Sequence, residues 1–579
     1  MDLLVAHLRN IDPQSISALA LVCSALLAKA RYAQLQEVSL DFGRGAGRAS
    51  QRVCFLAQDA PLPAIRALHV RPPFSLERSL GQLNAGSSSA RRQKALKARR
   101  KALEAELAPW KQLGDLVPQM PGLRDLHWGS AVIPDRVLEF LAHNPQVRLH
   151  LSVDMQLFPG CMDEAVAAIN ALPARLACIR GLSSLRIKIV YGKEIAALRA
   201  LLQDSLKSLM SSPRLRSLGL DIGFPTSGCV WHSPSRDYCG FGFAAGENFP
   251  SLEELDVVDY PWGWPPWLPR GLFWVDGYPT AWGPGTEMDH WASLRDWSRL
   301  RRLRLVGHSV MLTEPLAPKL TALKHIELIT QNPVLNTRIA PAFATLPCTL
   351  TSITLAILPP DLTTVIISHA ASLRALTVYD VPIPPTDLAL LRDNLPNLDT
   401  LTLCCDLKPN PDHNLDPNPA VRAACPYPWP CTTATTTNAT TLLTTLAGFP
   451  RLASLTLHIS PHPTPPITIT TPGLLLAALR ARGAARLRTL RLNVSGARPG
   501  SREDAQLELE LGVRPALHQN SSSSSSSKVG LVCTRPSDSD QQNTAAGMDS
   551  ESGDGDAMPL LATSRCENLS WAQNERLRR

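Results

Sequence analysis

The chain has 579 residues and a formal net charge of +8, with 44% hydrophobic but only 5% aromatic residues, so its core must be built mainly from Leu, Ala and Val. Seven of the positive charges fall between Arg91 and Lys101, which makes the basic balance a local feature and argues against nucleic acid as a partner. The 13 cysteines include no Cys-x-x-Cys pair, which argues against a metal site or a disulfide framework, and no stretch approaches the roughly 18 apolar residues of a membrane span.

The first predicted elements are helical. Leu4 and Leu8 are four residues apart in "DLLVAHL". Asp12 and Pro13 stand as N-cap and first residue of a second helix, and Ile16, Leu19, Cys23 and Leu26 continue at helical spacing. A strand, "EVSLDF", comes next. Helices this short cannot bury their own apolar faces. The stretch "LLVAHLRNIDPQSISALALVCSALLAKA" resembles the F-box, over residues 1–42 with the first strand included. That resemblance implies docking on a Skp-type adaptor, which links to a cullin-RING ubiquitin ligase. It assigns the adaptor contact to Leu4, Leu8, Pro13, Ile16 and Leu19. The same residues also fit a helical cap on the end of a repeat array.

From residue 60 to 495 one pattern recurs: apolar, two residues, apolar, one residue, apolar. It begins with Ile65-Leu68-Val70 and Leu123-Leu126-Trp128, and ends with Leu452-Leu455-Leu457 and Leu487-Leu490-Leu492, making twelve copies. Between Leu300 and Leu398 the copies step by 23, 27, 23 and 25 residues. The last two apolar residues of each copy have the strand period of two. Between copies lie helical patterns such as "PTDLALLRDNLPNL", with Leu388, Leu391 and Leu395 at i, i+3 and i+7. The pattern resembles the leucine-rich repeat, which implies a stacked solenoid.

Three insertions interrupt the copies. Residues 84–110 are charged and helix-favouring, and read as either an exposed helix or a nuclear-import signal. Residues 259–297 hold seven of the twelve Trp residues. Either these indoles pack the segment onto the repeats, or Trp262, Trp264, Trp267, Trp274 and Trp282 form a target-binding surface. Residues 408–445, rich in Pro, Asn and Thr, predict a long loop. From residue 496 to 579 the sequence is polar and of low complexity, which predicts a disordered tail.

No Walker A, His-Glu-x-x-His or Gly-x-Ser-x-Gly motif occurs. His458 and His462 are separated by a predicted strand end and Pro461, and the adjacent Glu253 and Glu254 point to opposite faces of a strand. The expectation is an α/β chain with three parts: a short F-box-like helical module, an irregular leucine-rich-repeat solenoid and a disordered tail. It carries no cofactor, no catalytic residue and no metal site. The resemblances together imply a cytoplasmic or nuclear substrate receptor of an SCF-type ubiquitin ligase, with a Skp-type adaptor, cullin and a protein target as partners. The alternative is a leucine-rich-repeat scaffold unconnected to a ligase.

Overall fold

A computed structural model describes, short interruptions aside, residues 35–71, 110–157, 170–223, 240–260, 287–405, 439–459 and 483–494. It adds a hairpin within 274–279 and two short strands at 509–510 and 532–533. The first strands are β1 (Glu37–Asp41), β2 (Ala67–Arg71), β3 (Asp125–Trp128), β4 (Arg148–Leu157), β5 (Leu182–Tyr191), β6 (Ser217–Gly223) and β7 (Glu254–Val258). β8 (Trp274–Val275) and β9 (Tyr278–Pro279) pair only with each other. The series resumes with β10 (Arg302–Val306), β11 (His325–Ile329), β12 (Ser352–Leu355), β13 (Ala375–Val378), β14 (Thr400–Cys405), β15 (Ser454–Ile459) and β16 (Thr489–Val494).

These fourteen long-sheet strands lie side by side in chain order, all parallel, and the sheet does not close on itself. Parallel neighbours need a crossover between them. Helices supply several of these, including Asp135–His143, which buries Val137 and Leu141. The helix predicted around Leu388 runs over Pro385–Asn394 and buries Leu388 and Leu391. It begins with proline at its first position rather than with the Thr-Asp pair, and Asp387 lies in its first turn, where the helix dipole favours a carboxylate.

Every predicted apolar triplet places its last two residues on a strand. All their described side chains are buried, from Ile65 through Leu490. Stacking is also fixed by the backbone just before each strand. The Arg66 carbonyl accepts from the amides of Arg124 and Asp125, and the Lys324 carbonyl from those of Thr351 and Ser352. The Arg374 carbonyl accepts in the same way from Asp399 and Thr400. Gly122 and Gly181 allow this close approach: a β-carbon there would strike the carbonyl of Pro63 or Val147.

Two strands lie outside the twelve triplets. β1 is the predicted "EVSLDF" strand. It pairs in register with β2, so it belongs to the sheet rather than to the N-terminal module, and the sheet begins before residue 60. β4 carries no triplet. Val147, just before it, and its own Leu149 and Leu151 are buried and spaced two and two, and the register with β5 shifts between Leu149 and His150, opposite an extra residue of β5. In the segment expected to form a disordered tail, β17 (Leu509–Glu510) and β18 (Val532–Cys533) add antiparallel pairs at the β16 edge.

Part of the Trp-rich segment packs inward. Trp291 and Trp297 are fully buried, and the Trp297 indole donates to the Trp291 carbonyl at 3.1 Å. Trp291 meets Phe243 edge-on at 5.5 Å and Phe241 at 5.9 Å, beside Tyr260. The buried Arg295 guanidinium lies over Phe249 and Trp291, with Nη1 donating to the Pro250 carbonyl. Burial pushes its pKa down to about 9.

Candidate functional site: the polar face of the sheet

In each strand the residues between the buried ones point to the opposite face of the sheet. Parallel, in-register pairing then lines up the same position of successive repeats as rows running across the strands. What a row can do depends on which residues fill that one position.

On β2, β3 and β4 the position after the middle apolar residue is histidine. His69, His127 and His150 are register partners, and their rings stack: 4.0 Å and 10° for the first pair, 4.2 Å and 9° for the second. Carboxylates hold the two outer rings. His69 Nε2 lies 3.3 Å from Glu37, and His150 Nε2 lies 3.2 Å from Asp125. Asp125 also accepts from Arg148 at 2.6 Å. Burial alone would raise the Asp125 pKa. The hydrogen bonds from Arg148 and His150, with their charges, outweigh it and hold the carboxyl below its usual value. The central ring has no such partner. Burial, followed by the neighbouring His150 and His69, pushes His127 down to about 4, so it is neutral at physiological pH.

This cluster does not form a metal site. Rings stacked in parallel direct their nitrogen lone pairs side by side instead of toward one point. Among the described residues no group of three or more His, Cys, Asp or Glu is arranged to hold a metal ion. It is also not a nucleophile–base relay: Ser184 faces His150 across β4 and β5, but no hydrogen bond joins them.

Further along the sheet, the row that pairs Ser152 of β4 with Arg186 of β5 becomes ionic. Arg186 of β5 lies across Gly219 of β6, where any β-carbon would press on its side chain, and reaches Asp256 of β7 at 2.9 Å. Arg304 of β10 bridges Asp256 at 2.9 Å and Glu327 of β11 at 2.8 Å, and its side chain is only 13% exposed. Burial works against the Arg304 charge, and the two carboxylates more than offset it. Beside this row a short apolar row of Val258, Val306, Ile329 and Ala356 is buried on the same face, with Tyr379 packed against it.

On β12 to β15 the face carries hydroxyls, bounded by Glu327 of β11 and Arg491 of β16. One row runs Ser352, Ala375, Thr400, Ser454 and Thr489, and the next Thr354, Thr377, Thr402 and Thr456. None of these hydroxyls makes an intramolecular hydrogen bond among the described residues. The strand ends beside them carry Tyr379 and His458, packed edge-on at 5.6 Å. Burial pushes the His458 pKa down and the Tyr379 pKa up, so both are neutral at physiological pH.

The residues assigned to adaptor contact, Leu4, Leu8, Pro13, Ile16 and Leu19, lie outside the described residues, as do Trp262, Trp264, Trp267 and Trp282. Trp274 opens the β8–β9 hairpin. Of the seven indoles in that segment, Trp291 and Trp297 are core residues. Glu253 accepts from Arg216 and Arg299 at the surface, while Glu254 starts β7 on the exposed face. Among the described residues no helix is long and apolar enough to cross a membrane. No protein-family profile matches the chain, and no curated protein matches it in sequence.

Proposed function

We propose that the chain is a leucine-rich-repeat solenoid that serves as the substrate receptor of an SCF-type ubiquitin ligase. Residues 1–34, the part of the F-box-like stretch before the sheet, dock on a Skp-type adaptor bound to cullin, and the repeats hold a protein target. The reading is supported by one combination: a short apolar N-terminal stretch whose sequence resembles an F-box, joined to a long open sheet with one face buried and the other polar. Such a receptor does no chemistry of its own. It raises the effective concentration of a target lysine near the ligase's charged carrier enzyme. Cys54 and Cys178, exposed free thiols, suit the reducing cytosol or nucleus where that machinery works. Trp262, Trp264, Trp267, Trp274 and Trp282 remain candidates for target contact, because buried indoles at an interface each contribute about 2 kcal/mol or more.

Co-purification of the full chain with a Skp-type adaptor tests the reading. Leu19→Asp is expected to abolish capture and leave the melting temperature of the sheet unchanged. If the variant still captures the adaptor, or if the sheet unfolds with it, residues 1–34 are an end cap. The protein is then a repeat scaffold without a ligase.

A further inference from the structure

We infer that the last edge of the sheet, along β16, is a strand-addition site, and that the chain's own residues 507–511 fill it in antiparallel register and so cap the sheet. The inference goes beyond the ligase reading and does not depend on it.

Three observations support it. First, this edge needs a cover. From β2 to β15 every strand of the long sheet has a parallel neighbour on each side, and the parallel run stops at β16. An open edge presents unpaired N–H and C=O groups, and a repeat array needs a capped end. Leu490 of β16 is fully buried, so the apolar column continues into the last strand. Second, the register is complementary. Leu509 stands opposite Leu492, and Glu510 opposite Arg491. Position 492 continues the column of Leu403 and Leu457, both buried, so the added strand puts an apolar residue in the apolar column and an acid across from a base. On its far side β18 pairs with the same two residues, so β17 is covered in turn.

Third, the sequence around that pair has the pattern of a longer strand. In "QLELELGV", Leu507, Leu509 and Leu511 alternate with Glu508 and Glu510, the strand period of two. Carried on in the same register, Leu511 would fall opposite Leu490 and Leu507 opposite Val494, so all three leucines would share the apolar column. The charges also match. Residues 503–510 hold Glu503, Asp504, Glu508 and Glu510 and no base, while residues 486–491 hold Arg486, Arg488 and Arg491 and no acid. Arg486 and Arg488 are exposed. Alternation and charge together favour this segment over the serine run at 521–527, which offers neither.

Hydrogen exchange on the full chain tests this. Fragments covering 507–511 are expected to exchange at least about tenfold more slowly than fragments covering 521–527. Leu509→Pro combined with Glu510→Pro removes both strand donors and should abolish that protection. A synthetic peptide of residues 504–515 should then bind the variant at least about tenfold more tightly than it binds the wild-type chain, whose edge is filled. A peptide of the same composition with its leucines clustered should bind neither. Because proline can also disturb β16, a second pair of variants reads the register. Glu510→Arg should reduce the protection about threefold or more, and Arg491→Glu added to it should restore it. The inference is overturned if 507–511 exchange as fast as the serine run, if protection survives the double proline, if the peptide does not prefer the variant, or if the charge swap restores nothing. Protection that disappears on dilution would assign the edge to the strand of a second copy and overturn filling within one chain.

Discussion

The β2–β11 and β12–β15 regions share one backbone and differ on one face. Beneath the sheet they are interchangeable: Leu126 on β3 and Leu401 on β14 are both fully buried, at the same repeat position. Above it, the first region carries stacked imidazoles and bridged ions, and the second carries hydroxyls that make no intramolecular hydrogen bond among the described residues. The inward residues of a repeat determine that it stacks. The outward residues can then vary without touching that determinant, because they lie on the face opposite the buried core. The chemistry of the polar face is therefore written in columns down the repeats, and the fold along them.

The largest expected effect should erase the contrast. Leu126→Ala and Leu401→Ala each remove a buried side chain from equivalent positions, and each is expected to cost about 2–5 kcal/mol in chemical denaturation. The two losses should agree despite the different chemistry above them. A cost under about 1 kcal/mol for one of them alone would mean that the two regions do not share a core of equal quality.

A smaller effect should sharpen the contrast. Asp256→Ala leaves Arg186 without its carboxylate and removes one of the two carboxylates that bridge the largely buried Arg304. The expected loss is about 1–3 kcal/mol, the range for a charged group whose partner is removed. Thr456→Val, in the hydroxyl region, removes a group with no intramolecular bond and should stay within about 0.5 kcal/mol of wild type. If both substitutions proved equally harmless by denaturant titration, the ionic row would be decoration and the two regions would not differ in stability.

The strands are legible because an apolar triplet is a strong, repeated signal. β4 escapes it for a specific reason: Val147, Leu149 and Leu151 follow a strict alternation, without the two-residue step of the other copies. The histidine stack is legible in principle. "LH" occurs at Leu68-His69, Leu126-His127 and Leu149-His150, and reading that single column of the repeats finds it. The same column yields Thr354, Thr377, Thr402 and Thr456. The Arg186–Asp256 bridge is not legible. Its partners are 70 residues apart, and it depends on an intervening glycine whose role appears only once the strands are adjacent. Burial of Trp291 and Trp297 is likewise open from sequence. Composition alone does not distinguish an indole that fills a core from one that faces a partner.

The smallest effect is titration of the central imidazole. Its value in the folded chain, about 4, is below the ordinary 6.5. Between these two values the unfolded chain binds a proton that the folded chain refuses, so stability falls as the pH drops through that window and levels off below it. A full shift of that size corresponds to about 3 kcal/mol, and solvent screening at a half-buried site reduces it to about 1–2 kcal/mol. The groups facing His127 are His69, His150, Asp125 and Arg148. Asp125, held below its ordinary 3.8, favours the folded state above that value and loses its contribution only at still lower pH, outside the histidine window. His369 and His458, also pushed down by burial, act in the same direction as His127. The total slope is therefore not diagnostic, and the difference between wild type and His127→Gln is. Urea denaturation at pH 7, 6, 5 and about 4 should show the two curves converging as the pH falls, by about 1–2 kcal/mol. Parallel curves would mean that stacking between two carboxylate-held rings leaves His127 free to take its proton, and the feature that most separates the histidine region from the hydroxyl region would be lost.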